Sequence, residues 1–185
     1  ASPVIQPGAW SVAMPDTAAA AFATTLAKTI NPAGVDETGV MSFYVTTSGP
    51  DTMTATRIRF VGGLTGPAHF QAVSFYGDVN KNGEFDTGVD SFEVPMGYDT
   101  ATGHWVATPI SHPVAGGSDS AWHLVMVTLR DTVTAGDTFR VELPAGAVTM
   151  ARAGTIPVSA MLGTPTHQVA AESVTVTAPN SNMDL

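Results

Sequence analysis

The chain has 185 residues, of which 7 are basic and 16 acidic, so only 12% are charged and the net charge is −9. That is about half the charge of an ordinary soluble domain. Such a composition excludes a chain held open by its own polarity and an electrostatic nucleic-acid binder. No apolar run approaches the ~18 residues of a membrane-spanning helix. There is no cysteine, so disulfides, thiolate metal sites and cysteine nucleophiles are also excluded.

In chain order, Trp10, Val12 and Met14 alternate like one face of a strand. Asp16 is placed to cap a helix through Ala18–Ala21, with Phe22, Leu26 and Ile30 on one face. The same residues alternate at period two, and a strand from about Ala21 is the favoured reading. Strands are then expected over Val40–Val45, Thr54–Val61 and Phe70–Tyr76, and in a segment where Phe92, Val94 and Met96 share a face. They continue over His104–Ala107, Trp122–Leu129, Thr138–Leu143 and Val174–Thr177. The 46 Val and Thr residues suit a half-buried pleated surface, and 18 Gly and 13 Pro punctuate it. Short strands at roughly ten-residue spacing predict a single all-β domain over residues 1–185, an antiparallel sandwich of Ig-like or jelly-roll type.

Charge is unevenly spread. Residues 1–27 carry one charge, Asp16, and residues 153–185 carry two, Glu172 and Asp184. Chain ends are normally polar. A bare N-terminal stretch is therefore read two ways, as an edge strand of this domain or as an exchange arm, residues 1–15, that adds a strand to a neighbouring copy. Val4, Ile5, Trp10, Val12 and Met14 are the candidate contacts of that arm. Ala1-Ser2-Pro3 reads like the end left by removal of a signal peptide, so a secreted or cell-surface location is expected.

Six of the 16 acidic residues lie between Asp78 and Asp99. Within that stretch Asp78-Val79-Asn80-Lys81-Asn82-Gly83-Glu84-Phe85-Asp86 follows the first nine positions of an EF-hand-type calcium loop. Calcium takes six to eight hard oxygens, and a tight loop turns alternate side chains inward. Asp78, Asn80, Asn82 and Asp86 are the candidate side-chain ligands, Glu84 offers its main-chain carbonyl, and Gly83 makes the turn. Val89 stands where the helical motif has its closing carboxylate. Asp90 is the expected replacement, with Glu93 as the weaker candidate.

The stretch from about Phe22 to Val176 resembles Ig-like β-sandwich modules of bacterial secreted and surface proteins. The resemblance rests on the strand Val73–Gly77 running straight into the Asp78–Asp86 loop, on Thr134–Val141 and on Gly163-Thr164-Pro165. It implies a calcium role for Asp78, Asn80, Asn82 and Asp86, and membership of surface layers, adhesins or filaments.

Other constellations are weaker. His104, His112 and His123 fall within twenty residues, with Met126 near, the outline of a copper site set against ordinary strand-end histidines. Trp10, Trp105, Trp122 and Tyr98 outline a carbohydrate-stacking platform set against core packing. Serine-hydrolase, nucleotide-binding and zinc-protease motifs are missing. The sequence therefore predicts a chain that is not an enzyme. It predicts a calcium-stabilised structural subunit that forms homo-polymers by head-to-tail strand addition, as a filament before a surface layer. The alternative is a secreted adhesin or carbohydrate-binding module.

Overall fold

The computed structural model describes residues 18–24, 29–30, 37–157, 159–162 and 166–170. They form an all-β sandwich of two sheets without a helix among them. The first sheet has the order β1 (Ala18–Thr24), β3 (Thr38–Thr47), β10 (Ser120–Leu129), β5 (Phe70–Gly77) and β6 (Ser91–Pro95), all antiparallel. The expected strand near Ala21 is present but starts at Ala18, so the helical reading of the alanine run does not hold. Pairing with β3 supplies long-range hydrogen bonds that outweigh alanine's helical preference.

The second sheet is built on β4 (Asp51–Gly62), whose twelve residues are long enough to pair with two short strands along each edge. One edge carries β12 (Val148–Met150) and then β11 (Thr138–Leu143). The other carries β9 (His112–Val114) and then β8 (His104–Ala107). Beyond these lie β13 (Gly154–Ile156) on β12, β7 (Gly97–Asp99) on β8, and β14 (Met161–Leu162) with β15 (His167–Val169) on β11. β2 (Thr29–Ile30) pairs with β15, and this pair is parallel, unlike the antiparallel expectation. The short strands β9, β12 and β13 carry too few residues for a legible alternation. The expected strand Val174–Thr177, the Asp16 cap, the Gly163-Thr164-Pro165 segment and the arm residues Val4, Ile5, Trp10, Val12 and Met14 lie outside the described residues.

The core fills the space between the sheets. Phe43, Phe75, Val125 and Val127 of the first sheet face Met53, Ile58, Phe60 and Val141 of the second, all essentially buried. At one end Phe60 stacks on Phe70 with ring centroids 4.2 Å apart, and Phe139 meets both edge-on at 5.4 Å. Such aromatic pairs contribute roughly 0.5–1.5 kcal/mol each beyond the area they bury. On the outer face of the first sheet, Ser74 and Tyr76 donate hydrogen bonds to the two carboxylate oxygens of Glu37, at 2.6 and 2.7 Å. Burial, then the Glu37 bond and its charge, push the Tyr76 phenol up to about 12.

Two local features place the residues that matter below. In β6, Tyr76 pairs with Phe92 and Phe75 with Val94, so Glu93 is an extra, unpaired residue. This bulge shifts the face of every residue after it. Phe92 is consequently 55% exposed while Met96 is 4% exposed, and the shared face expected for Phe92, Val94 and Met96 is not formed. In the β9–β10 loop, Gly116 has φ +85°, and a Cβ there would lie 2.4 Å from the carbonyl carbon of Gly49 in the β3–β4 turn.

Replacing Gly116 by alanine must therefore either move the Gly49 backbone or abandon the left-handed conformation. Strain alone costs about 1–3 kcal/mol. The Gly116→Ala variant is expected to melt several degrees below wild type in a thermal denaturation followed by circular dichroism. An unchanged midpoint would refute this contact.

Candidate metal-binding sites

The acidic loop leaves β5 at Gly77 and returns to β6 at Ser91. Asp78 is only 3% exposed, and its two carboxylate oxygens accept from the backbone N–H groups of Asn82 and Gly83 at 3.2 and 2.8 Å. Gly83 has φ +78°, the left-handed turn expected of it. The side-chain amides of Asn80 and Asn82 both donate to Oδ2 of Asp86, at 2.8 and 2.6 Å. Asn82 Oδ1 in turn accepts from the Glu84 backbone N–H at 2.8 Å, while the Glu84 side chain is exposed. Asp90 closes the loop, accepting from Val79 N at 3.0 Å and from Asp86 N at 2.7 Å. Lys81, at φ +57°, reaches out to Asp119 at 2.7 Å. All six predicted residues thus belong to one folded loop, and Asn80, Asn82 and Asp86 converge on a single point. As bonded here, Asn80 and Asn82 turn amide nitrogens rather than oxygens to Asp86, and Asp78, Asp86 and Asp90 do not form a group close enough to share an ion.

The Asn80 amide first, and the Asn82 amide second, hold the Asp86 carboxyl below its ordinary value of 3.8.

Glu93 stands apart from this loop. Its bulge turns the carboxylate toward the second sheet, where Oε1 lies 2.5 Å from Nδ1 of His112. β9 pairs with the start of β4, Met53 opposite His112, and this register carries His112 across the sandwich to His123 of β10. The two imidazole centroids are 4.6 Å apart with planes at 74°. His123 is fully buried between Phe43 and Phe75, whose rings lie 5.3 and 5.0 Å away, and neither of its ring nitrogens has a hydrogen-bond partner. Burial, followed by the proximity of His112, lowers its pKa well below 6.5 and keeps the ring neutral. The ligand atoms of Glu93, His112 and His123 lie within 4.8 Å of one another. Gly77 makes room for them: a Cβ at that position would lie 2.9 Å from Glu93 Oε1 and 3.4 Å from His112 Cε1.

The predicted His104–His112–His123 grouping is thus half realised. His104 sits on β8, where burial, then the charges of Arg57 and Arg59, lower its pKa. Glu93 takes the place imagined for it, a substitution only the bulge reveals. The aromatic platform is not assembled from its described members. Trp105 is buried beside Tyr98 at 5.2 Å, whereas Trp122 stacks on Tyr44 in the other sheet at 5.2 Å.

No family model matches the chain, and no curated protein matches it. Among solved structures it is similar to a family 123 glycoside hydrolase from Clostridium perfringens, from a structural analysis of glycolipid glycan hydrolysis. Identity is 10% and the TM-score 0.36, over 83% of this chain and 27% of that one. The chain therefore spans about a quarter of the hydrolase's length. The sequence-based expectation of a chain that is not an enzyme is corrected by this match, since a structure similar to it belongs to an enzyme. At this level the likeness carries no argument for a hydrolytic activity here.

The depressed Asp86 value has a defined pH consequence. Its hydrogen bonds stabilise the folded loop fully above the ordinary carboxylate pKa, and that contribution is lost as pH falls through the lower folded value. A carbon-13 NMR titration is expected to place the Asp86 midpoint below 3.8, and Asn80→Ala is expected to move it back up. A midpoint insensitive to Asn80 would contradict the assigned bonding.

Proposed function

We propose that the chain is a secreted structural subunit of an extracellular assembly, a filament before a surface layer, whose acidic loop is held by calcium. The observation that carries this reading is the placement of exposed apolar side chains. Among the described residues, the large exposed hydrophobics are Val79, Val89 and Phe92, 58%, 48% and 55% accessible; the first two lie within the acidic loop and Phe92 just beyond it. Apolar side chains gathered beside a rigidifying loop suit a contact surface better than a free one. β6, which bears Phe92, also ends the first sheet among the described residues and so offers an open edge for strand addition.

Calcium would be held by Asp78, Asn80, Asn82, Asp86 and Asp90 with the Glu84 carbonyl. Its charge would relieve the repulsion among the three aspartates and stiffen the β5–β6 connection. A neighbouring copy would contribute the arm of residues 1–15, with Val4, Ile5, Trp10, Val12 and Met14 as its side-chain contacts. A contact between unlike surfaces propagates into an open polymer.

Negative-stain imaging and sizing with calcium and with chelator test this. Polymers are expected with calcium, their loss or shortening with chelator, and monomers when residues 1–15 are deleted. A calcium-indifferent monomer overturns the assembly. If that monomer binds glycans, the adhesin or carbohydrate-binding reading replaces it.

A further inference from the structure

We propose that Glu93, His112 and His123 form a zinc site that ties the two sheets of the sandwich together, distinct from the calcium loop. Glu93 and His123 belong to β6 and β10 of the first sheet, and His112 belongs to β9 of the second. One ion bound to all three would link the sheets across the core. In a chain without cysteine, no disulfide can do this.

The argument starts from His123. A buried polar group that has given up water without gaining a hydrogen bond destabilises the fold. The Glu93–His112 pair satisfies its own members and leaves both His123 nitrogens without a partner. A metal ion resolves this, because a neutral imidazole nitrogen is a preferred zinc ligand and needs no hydrogen bond once it ligates. Two imidazoles and one carboxylate are also the donor set of many three-ligand zinc centres, with water in the fourth position. Two ligands each at about 2.1 Å from one tetrahedral ion stand about 3.4 Å apart. The ligand atoms, within 4.8 Å of one another, reach that spacing by shifts totalling about 1.4 Å, as Glu93 and His112 part from their hydrogen bond. Glu93, on a bulge, and His112, at the sheet margin, are the members able to make them, while His123 is clamped between two phenylalanines. His112 also lines a cleft of about 200 Å³ that opens to solvent beside Asp78, Asp119 and Trp122. That cleft gives zinc a way in and supplies the water. Calcium is disfavoured here, since it prefers six to eight oxygens over imidazole nitrogen.

The test uses the full chain, freed of metal with EDTA and titrated with zinc chloride at pH 7 in excess calcium. One equivalent of zinc is expected to bind despite the calcium, and the thermal midpoint is expected to rise relative to EDTA. Cobalt in place of zinc is expected to show the intense visible bands of a four-coordinate nitrogen and oxygen site. Glu93→Gln and His112→Ala, both at partly exposed positions, are expected to fold and to lose stoichiometric uptake. His69→Gln, at a ring that accepts from the Thr65 backbone N–H and is not part of the group, is expected to retain it. Absence of uptake by the wild type, uptake unchanged in His112→Ala, or displacement of zinc by calcium would each overturn the site.

Discussion

The second sheet depends on the hydrogen-bonding capacity of one strand. β4 is long enough to pair with four partners, two along each edge, and the short strands β8, β9, β11 and β12 take their positions from it. Short strands cannot hold a register by themselves, because each contributes only a few ladder bonds and little buried area. Against β4 their registers become definite. The apolar side chains of β4 then set how closely the two sheets approach, with Met53, Ile58 and Phe60 all essentially inaccessible to solvent. Both candidate metal sites inherit their geometry from this arrangement, the histidine site directly and the acidic loop through the sheet it borders.

The two candidate sites differ in their donor atoms and in their surroundings. The acidic loop is local in sequence, oxygen-rich and open to solvent, with an Asp78 carboxylate already holding the turn through backbone N–H groups. Its carboxylates are bonded to backbone N–H groups and to the Asn80 and Asn82 amides. The Glu93–His112–His123 group is non-local, nitrogen-rich and set between two sheets, one of its rings fully buried. It asks for a borderline metal with few ligands and a fixed geometry. Glu93 lies only three residues beyond Asp90, yet its side chain serves the second group. The bulge in β6 separates the two environments.

Surface electrostatics contribute little to holding the sandwich together. The Arg59–Glu142 and Lys81–Asp119 pairs are partly exposed, and pairs of that kind are worth about 0–1 kcal/mol. Buried carboxylates matter more. Asp51, 6% exposed, accepts from the backbone N–H groups of Thr52, Arg152 and Ala153 and so anchors the turn after β12 to the start of β4. Burial works to raise its pKa, but the Ala153, Thr52 and Arg152 hydrogen bonds together with the Arg152 charge outweigh it and lower the net value. With few charges in the chain, Asp51, Asp78 and Asp90 are among the acidic groups that hold turns through backbone N–H groups.

Residue order alone was enough to define the fold class, the long strands and the acidic loop. The β-forming, apolar character of Val40–Val45, Thr54–Val61, Phe70–Tyr76 and Trp122–Leu129 is a local property, and so is the spacing of Asp78, Asn80, Asn82, Gly83 and Asp86. Both survive because neighbouring residues impose them. The order of the strands, the parallel β2–β15 pair and the short strands on β4 arose only from long-range pairing. The histidine site shows the division most sharply. His112 and His123 were visible as candidates, but His104 lies on β8 away from them, and Glu93, the weaker candidate for closing the acidic loop, lies against His112 instead. A one-residue bulge reverses which face a side chain takes, and only the register of β6 against β5 decides where that residue falls. Tertiary structure alone therefore brought together three ligands from strands in two different sheets.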